Sequence, residues 1–150
     1  EGIGEAVQAV EQGAPWAIPH RHVYRLTREE TEKVLAGAEP GEHCELETKR
    51  YLGVSGGGIL VARREALLEA PMDRRFVGWG SEDAAWGIAL KALLGAPVRG
   101  QEPLWHLWHP AQPDKRLGHG SKDSERLWRR YCQAKKRGAA AVRELIEEAS

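Results

Sequence analysis

Three short segments carry side chains of the kinds that do chemistry. The first is Phe76-Val77-Gly78-Trp79-Gly80-Ser81-Glu82-Asp83, in which two glycines bracket a tryptophan and two adjacent carboxylates follow. The glycines would let a ligand approach the backbone, Trp79 offers an apolar plate of the sort that stacks on a sugar ring, and a carboxylate beside such a plate is a natural general base. The plainer alternative is that Glu82 and Asp83 complement a helix dipole, for roughly 0.3–1 kcal/mol each. The second segment is Trp105-His106-Leu107-Trp108-His109-Pro110. Histidines three apart on a regular strand point to opposite faces, so His106 and His109 can share a metal only if the backbone turns between them. Two imidazoles are too few for a closed structural zinc site, and a third ligand must come from elsewhere. Otherwise the pair are hydrogen-bonded histidines among aromatics. The third is Gly56-Gly57-Gly58, which leads into the apolar run Ile59-Leu60-Val61-Ala62. It is not a P-loop or a dinucleotide fingerprint, because no Gly-Lys-Ser/Thr follows and a strand stands where a helix is required. It is either a flexible turn or a place where a bulky ligand lies against the backbone.

Alternating strands and helices must position these groups. The spacing of Ile3, Ala6, Val7 and Val10 predicts a helix over 3–12, stopped by Gly13 and Pro15. Trp16–Ile18 reads as a short strand, and Val23–Leu26 as a second extended piece beyond Pro19-His20-Arg21-His22. Thr27 and Glu30 have the form of a capping box, opening a helix that ends near Gly37. Residues 38–49 read as a surface loop. The run 59–62 suits a strand covered on both faces, and 64–70 a short helix halted by Pro71. Ser81 is the expected N-cap of a helix whose Trp86, Leu90 and Leu93 share one face and which ends at Gly95-Ala96-Pro97. Leu104–Leu107 is expected as a strand, 110–120 as loop, and the remainder as helix, with Leu127, Tyr131 and Ala134 on one stripe and Val142, Leu145 and Ile146 on another. The pattern is that of an α/β layered domain.

Composition narrows the class further. With 150 residues, 41% of them hydrophobic and 29% charged, the chain makes one folded domain and excludes disorder or collagen-like structure. Lys+Arg 22 against Asp+Glu 22 leaves no net charge, so no whole-molecule field draws it to nucleic acid or anionic lipid. Cys44 and Cys132 are too few and too distant for a disulfide framework, which points to a reducing, cytoplasmic compartment. No apolar run has the length of a transmembrane segment. Six tryptophans against one phenylalanine, five of them before residue 110, suggest that something in that stretch is enclosed. The basic and aromatic tail around Arg126, Trp128, Arg129, Arg130 and Lys135 reads as a solvated helix face packed by its apolar stripe, with a lipid or nucleic-acid contact as the alternative.

Taken in order, the Gly56–Ala62 strand, the Arg63-Arg64 helix, Phe76–Asp83 and His106-x-x-His109 resemble the carboxyl-terminal half of GT-A glycosyltransferases, most of all the β-1,4-galactosyltransferase type with its Gly-Trp-Gly-Gly-Glu-Asp signature. The likeness covers roughly residues 51–110. It implies a GT-A-like partial domain, a mixed sheet flanked by helices, over 1–120, with a helical extension over 121–150. It further implies metal-dependent transfer of a sugar from a nucleotide-diphosphate donor to a saccharide or other hydroxyl acceptor. Asp83 would be the catalytic base and Glu82 would orient the acceptor. Gly78, Trp79, Gly80, Gly56, Gly57, Gly58 and Arg63 would bind substrate, and His106 and His109 would hold Mn²⁺ or another divalent cation, His106 standing where the family has Met. Inversion is favoured, although retaining relatives also carry a Gly-Glu-Asp element. Ser81 replaces the second signature glycine, Ala84-Ala85 replace acidic residues that help hold a galactosyl acceptor, and no DxD occurs. With no initiator Met either, the chain reads as a fragment, inactive alone, whose nucleotide-binding half would precede Glu1. The rival expectation is a non-catalytic carbohydrate- or protein-binding module on the same scaffold.

Overall fold

The computed structural model describes residues 2–53, 58–78, 80–110 and 121–149. Its elements run α1 (Gly2–Glu11), β1 (Trp16–Arg25), α2 (Arg28–Leu35), β2 (Val61–Ala62), α3 (Arg64–Glu69), α4 (Glu82–Leu94), β3 (Val98–His106), α5 (Lys122–Arg137) and α6 (Ala139–Glu147). The sheet has the order β2-β1-β3, with β2 antiparallel and β3 parallel to β1. The protein is therefore mixed α/β, a three-stranded mixed sheet flanked by helices.

The central strand explains the layers. Trp16 and Ile18 point into a core shared with Ala85, Ala89 and Leu90 of α4 and with Leu127, Tyr131, Val142, Leu145 and Ile146 of α5 and α6. Ala17, between them, faces Ala6 and Val10 of α1. That is the period-2 alternation of a strand covered on both sides. Trp16 is wholly buried and its indole N–H donates to the Gly95 carbonyl at 3.0 Å, tying β1 to the end of α4. The tryptophan surplus is thus partly structural, and Trp86 likewise donates to the Ala70 carbonyl at 2.8 Å. The helix faces expected from Leu90, Leu127, Tyr131, Ala134, Val142, Leu145 and Ile146 are all buried.

Several expectations need correction. The two extended pieces at 16–18 and 23–26 are one strand that continues through Pro19. Proline removes a ladder donor, and the strand absorbs this with register shifts on both sides of His20. Gly100 on β3 permits it, because a Cβ there would overlap the Pro19 carbonyl. β3 begins at Val98, well before Leu104, and ends at His106; as an edge strand it tolerates Gly100 and Pro103. The run 59–62 is not a doubly covered strand: only Val61–Ala62 pairs, at the other edge, and Ile59 is 41% exposed. Half of the capping box forms. Thr27 Oγ1 accepts from Glu30 N, but Thr27 N donates to the Glu45 carbonyl and the Glu30 carboxylate takes Lys33 at 2.7 Å.

A buried ionic knot fixes α5 and α6. Asp73 accepts from Arg75 through both carboxylate oxygens and from the Tyr131 hydroxyl at 3.0 Å, while Arg75 also donates to the Leu145 carbonyl and to Glu148. Burial alone would raise the Asp73 pKa, but the hydrogen bonds from Arg75 and Tyr131 outweigh it and hold the carboxyl below the ordinary range. On the outer face of α5, Arg126 and Arg129 pair with Asp123 and Glu125, and Arg130 reaches Glu148 at 2.7 Å. Among the described residues no helix is long and apolar enough to cross a membrane, and Cys44 and Cys132 are free thiols.

Candidate functional site

A cleft of about 1000 Å³ opens between one face of α4, the carboxyl ends of β1 and β3, the segment 51–53, α5 and the turn joining α5 to α6. Its wall includes Gly80, Ser81, Glu82 and Asp83 on one side and His106 and His109 on another, so the two segments singled out for their chemistry meet across one volume. That volume is at the upper end of the roughly 300–1,000 Å³ typical of small-molecule sites.

The entry to α4 is unusual in its backbone. Gly78 and Gly80 have φ of 86° and 114°, and Ser81 itself has φ 70°. Ser81 holds the expected N-cap position, but it is the one non-glycine residue with positive φ among the described residues and its side chain makes no capping bond. The turn ahead of the helix has its own tie: Gly80 N donates to Glu82 Oε2 at 2.8 Å. Glu82 therefore shapes the turn that presents Asp83. The same stretch is clamped from behind, since Val77 N donates to Ser124 Oγ, which donates back to the Val77 carbonyl, both at 2.9 Å. Asp83 titrates above the ordinary carboxylate range, first because burial disfavours its charge and then because Glu82 is beside it.

Opposite, β3 ends at His106 and the chain turns, which brings the His106 and His109 rings to a centroid distance of 5.3 Å. The turn required for the two histidines to face one place is present. His109 Nδ1 lies 3.1 Å from the Pro110 carbonyl. A carbonyl can only accept, so Nδ1 carries the proton and Nε2 is the bare nitrogen of the neutral ring, the arrangement that suits a metal ligand. Among the described residues no third His, Cys, Asp or Glu joins them. The pair fits two positions of a coordination shell, and the others would have to come from substrate oxygens or from residues outside the described ones.

Cations complete the wall. Arg25, Lys91 and Lys135 line the cleft, and sequence reasoning did not single out Arg25 or Lys91. Arg25 Nε is buried without a hydrogen-bond acceptor among the described residues, and the Glu47 carboxylate stands off at 3.7 Å. Lys91 is held below the usual lysine range by partial burial, then by Arg99 and Lys135. The signal for Arg25 was the strand alternation: it is the register partner of His106 and shares its face.

The remaining candidates fall elsewhere. Gly56, Gly57 and Trp79 lie outside the described residues. Gly58 does not line the cleft; it packs on His20, and a Cβ there would come within 2.9 Å of His20 Cε1. Gly53 presses on the same ring, whose two nitrogens are buried without partners among the described residues. Burial, then Arg99, holds that imidazole below its usual pKa. Arg63 also stands apart from the cleft: its guanidinium donates to the Val10 carbonyl at 3.1 and 2.9 Å and to Glu11, capping the end of α1. Compared with models of known protein families, with characterised proteins and with solved structures, the chain matches none of them.

Proposed function

We propose that the chain forms the acceptor-side and metal-side part of a GT-A-like glycosyltransferase that uses a nucleotide-diphosphate sugar. The observation that carries this reading is the shared cleft, which a carboxylate with a raised pKa lines together with two adjacent imidazoles and several cations. A carboxylate, imidazoles and cations lining one open volume suit a reaction in which a proton is taken up as negative charge develops on a leaving group.

Asp83 would accept the proton of an acceptor hydroxyl as that oxygen bonds to the anomeric carbon. The bond from that carbon to the diphosphate breaks, and its electron pair departs with the diphosphate. Arg25, Lys91 and Lys135 provide positive charge toward that leaving group. Glu82, held by Gly80 N, keeps the start of α4 in place so that Asp83 faces the cleft. His106 and His109 would hold a divalent cation, manganese by the mixed nitrogen and oxygen donor set, and when bound it would neutralise charge on the diphosphate. Transfer with inversion follows if one displacement completes the reaction.

The test is Asp83→Asn in the transferase, followed by release of nucleoside diphosphate across a panel of sugar nucleotides. Sugar transfer should fall by roughly 10²–10⁴ while donor binding persists. An unchanged rate would return Asp83 to the role of a helix-dipole partner.

A further inference from the structure

The strand alternation that sends Arg25 and His106 into the cleft sends their neighbours the other way. Tyr24 and Trp105 are register partners on the opposite face of β1 and β3, and their rings meet at 4.7 Å between centroids. His22 joins the same face, edge-on to Tyr24 at 6.4 Å. The segment that bridges to Val23 splits in the same manner: Tyr51 lines the cleft, and Arg50 lines a second pocket on the far side. That pocket has a volume of about 360 Å³ and is bordered by Arg21, His22, Tyr24, Glu42, Arg50 and Trp105.

We infer that this second pocket is a binding site for a hexose that carries an anionic group, such as a carboxylate or a phosphate. The rings of Tyr24 and Trp105, tilted 40° to each other, supply apolar ring surface for the apolar face of a pyranose. Arg50 is planted beside it, since its Nη1 donates to the Tyr24 hydroxyl at 3.3 Å. The backbone that carries Arg21 is fixed by Arg99, whose Nη1 donates to the carbonyls of His20 at 3.2 Å and Arg21 at 3.4 Å. Two guanidiniums at a shared rim suit a planar or tetrahedral oxyanion, which they can grip through paired N–H groups. Glu42 is the one carboxylate bordering the pocket among the described residues, so Arg21 and Arg50 leave an excess of one positive charge. It accepts hydrogen bonds from sugar hydroxyls and disfavours a bare inorganic anion. Partial burial and then the fields of Arg50, Arg21 and Arg99 hold His22 below its ordinary pKa, so the cationic character of the pocket belongs to the arginines. The pocket's size is near the lower end of small-ligand sites, roughly 300–1,000 Å³, and suits one or two sugar rings. This inference is independent of the main cleft, since neither Asp83 nor the histidine pair at 106 and 109 borders the pocket.

The experiment is an NMR titration of the chain with glucuronate, glucose 6-phosphate, glucose and inorganic phosphate, reading the Trp105 indole N–H. That signal is assigned by its loss in Trp105→Phe. Glucuronate or glucose 6-phosphate should shift it saturably, at least tenfold more tightly than glucose, and Arg50→Gln should weaken that binding at least tenfold. The carboxylate and phosphate arms distinguish which oxyanion the site prefers, and either preference supports the assignment. Glucose binding as well as both charged sugars, inorganic phosphate binding as well as glucose 6-phosphate, an unaltered titration in Arg50→Gln, or no response to either anionic sugar would each overturn it.

Discussion

Replacing Asp73 with Asn tests whether the ionic knot between the 73–75 turn and the carboxyl-terminal helices holds one wall of the cleft. The substitution keeps the shape but removes the charge that Arg75 and Tyr131 address. Losing one member of a buried ion pair costs about 3–5 kcal/mol. Arg75 is 31% exposed and keeps Glu148 at 3.1 Å, so water and Glu148 offset part of this and about 2–3 kcal/mol remains. Against a typical total of about 5–15 kcal/mol that is a large share. For a domain of this size it lowers Tm by about 4–12 °C. Urea unfolding at neutral pH measures it. Tyr131→Phe, which deletes one hydrogen bond to the carboxylate, should cost less, about 1.5 kcal/mol. The pH dependence fixes the sign. Because the folded-state pKa of Asp73 lies below its unfolded value, the contribution is complete above the ordinary carboxylate range and disappears as pH falls through the folded value. The gap between wild type and variant should therefore narrow only in acid below about pH 4. A variant within 0.5 kcal/mol of wild type, on the order of a bland surface change, or a gap unaltered by acid, would refute the reasoning. The consequence reaches function through α5 and α6, which contribute Trp128, Lys135 and Ala139 to the cleft.

Two further substitutions probe backbone and packing. Ser81→Gly removes a left-handed penalty of about 1–2 kcal/mol and loses no capping bond, while the added freedom of glycine costs about 0.5–1 kcal/mol; denaturant unfolding should show a net gain of about 0.5–1 kcal/mol. A loss of stability would show that Ser81 makes a contact outweighing its φ. Gly58→Ala drives a Cβ against the buried His20 ring and should destabilise by about 1–3 kcal/mol, whereas Gly4→Ala in α1, with nothing within 4 Å, should stabilise by about 0.5–1 kcal/mol in the same measurement.

Helices were the more legible part of the fold, because their apolar stripes are local: Leu90 and the three-residue stripes on α5 and α6 stood out by spacing and are buried. Strands were harder to read. Pro19 divided β1 on paper, yet the strand passes through it because Gly100 lets the neighbouring backbone come close, a compensation lodged far along the chain. After Val98, β3 continues with Arg, Gly, Gln, Glu and Pro, which an edge strand accepts and no alternation reveals. The two sides of the cleft were visible as motifs, whereas Arg25 and Lys91 were not, since what brings them there is strand register and helix placement. Arg63 shows the opposite limit. The family resemblance implied a substrate-binding role for it, and its guanidinium instead satisfies the end of a helix.

The most direct measurement of the central claim is nucleoside-diphosphate binding to the intact protein with and without Mn²⁺, in wild type, His106→Ala and His109→Ala, with thermal unfolding recorded in parallel. The account predicts that Mn²⁺ tightens binding at least tenfold in wild type and that each alanine variant loses that gain while unfolding within a few degrees of wild type. His106→Met should retain part of the gain. Overlaid Mn²⁺ titrations in all three proteins, or no effect of Mn²⁺ on wild type, would contradict the account and leave His106 and His109 as packing residues at the end of β3.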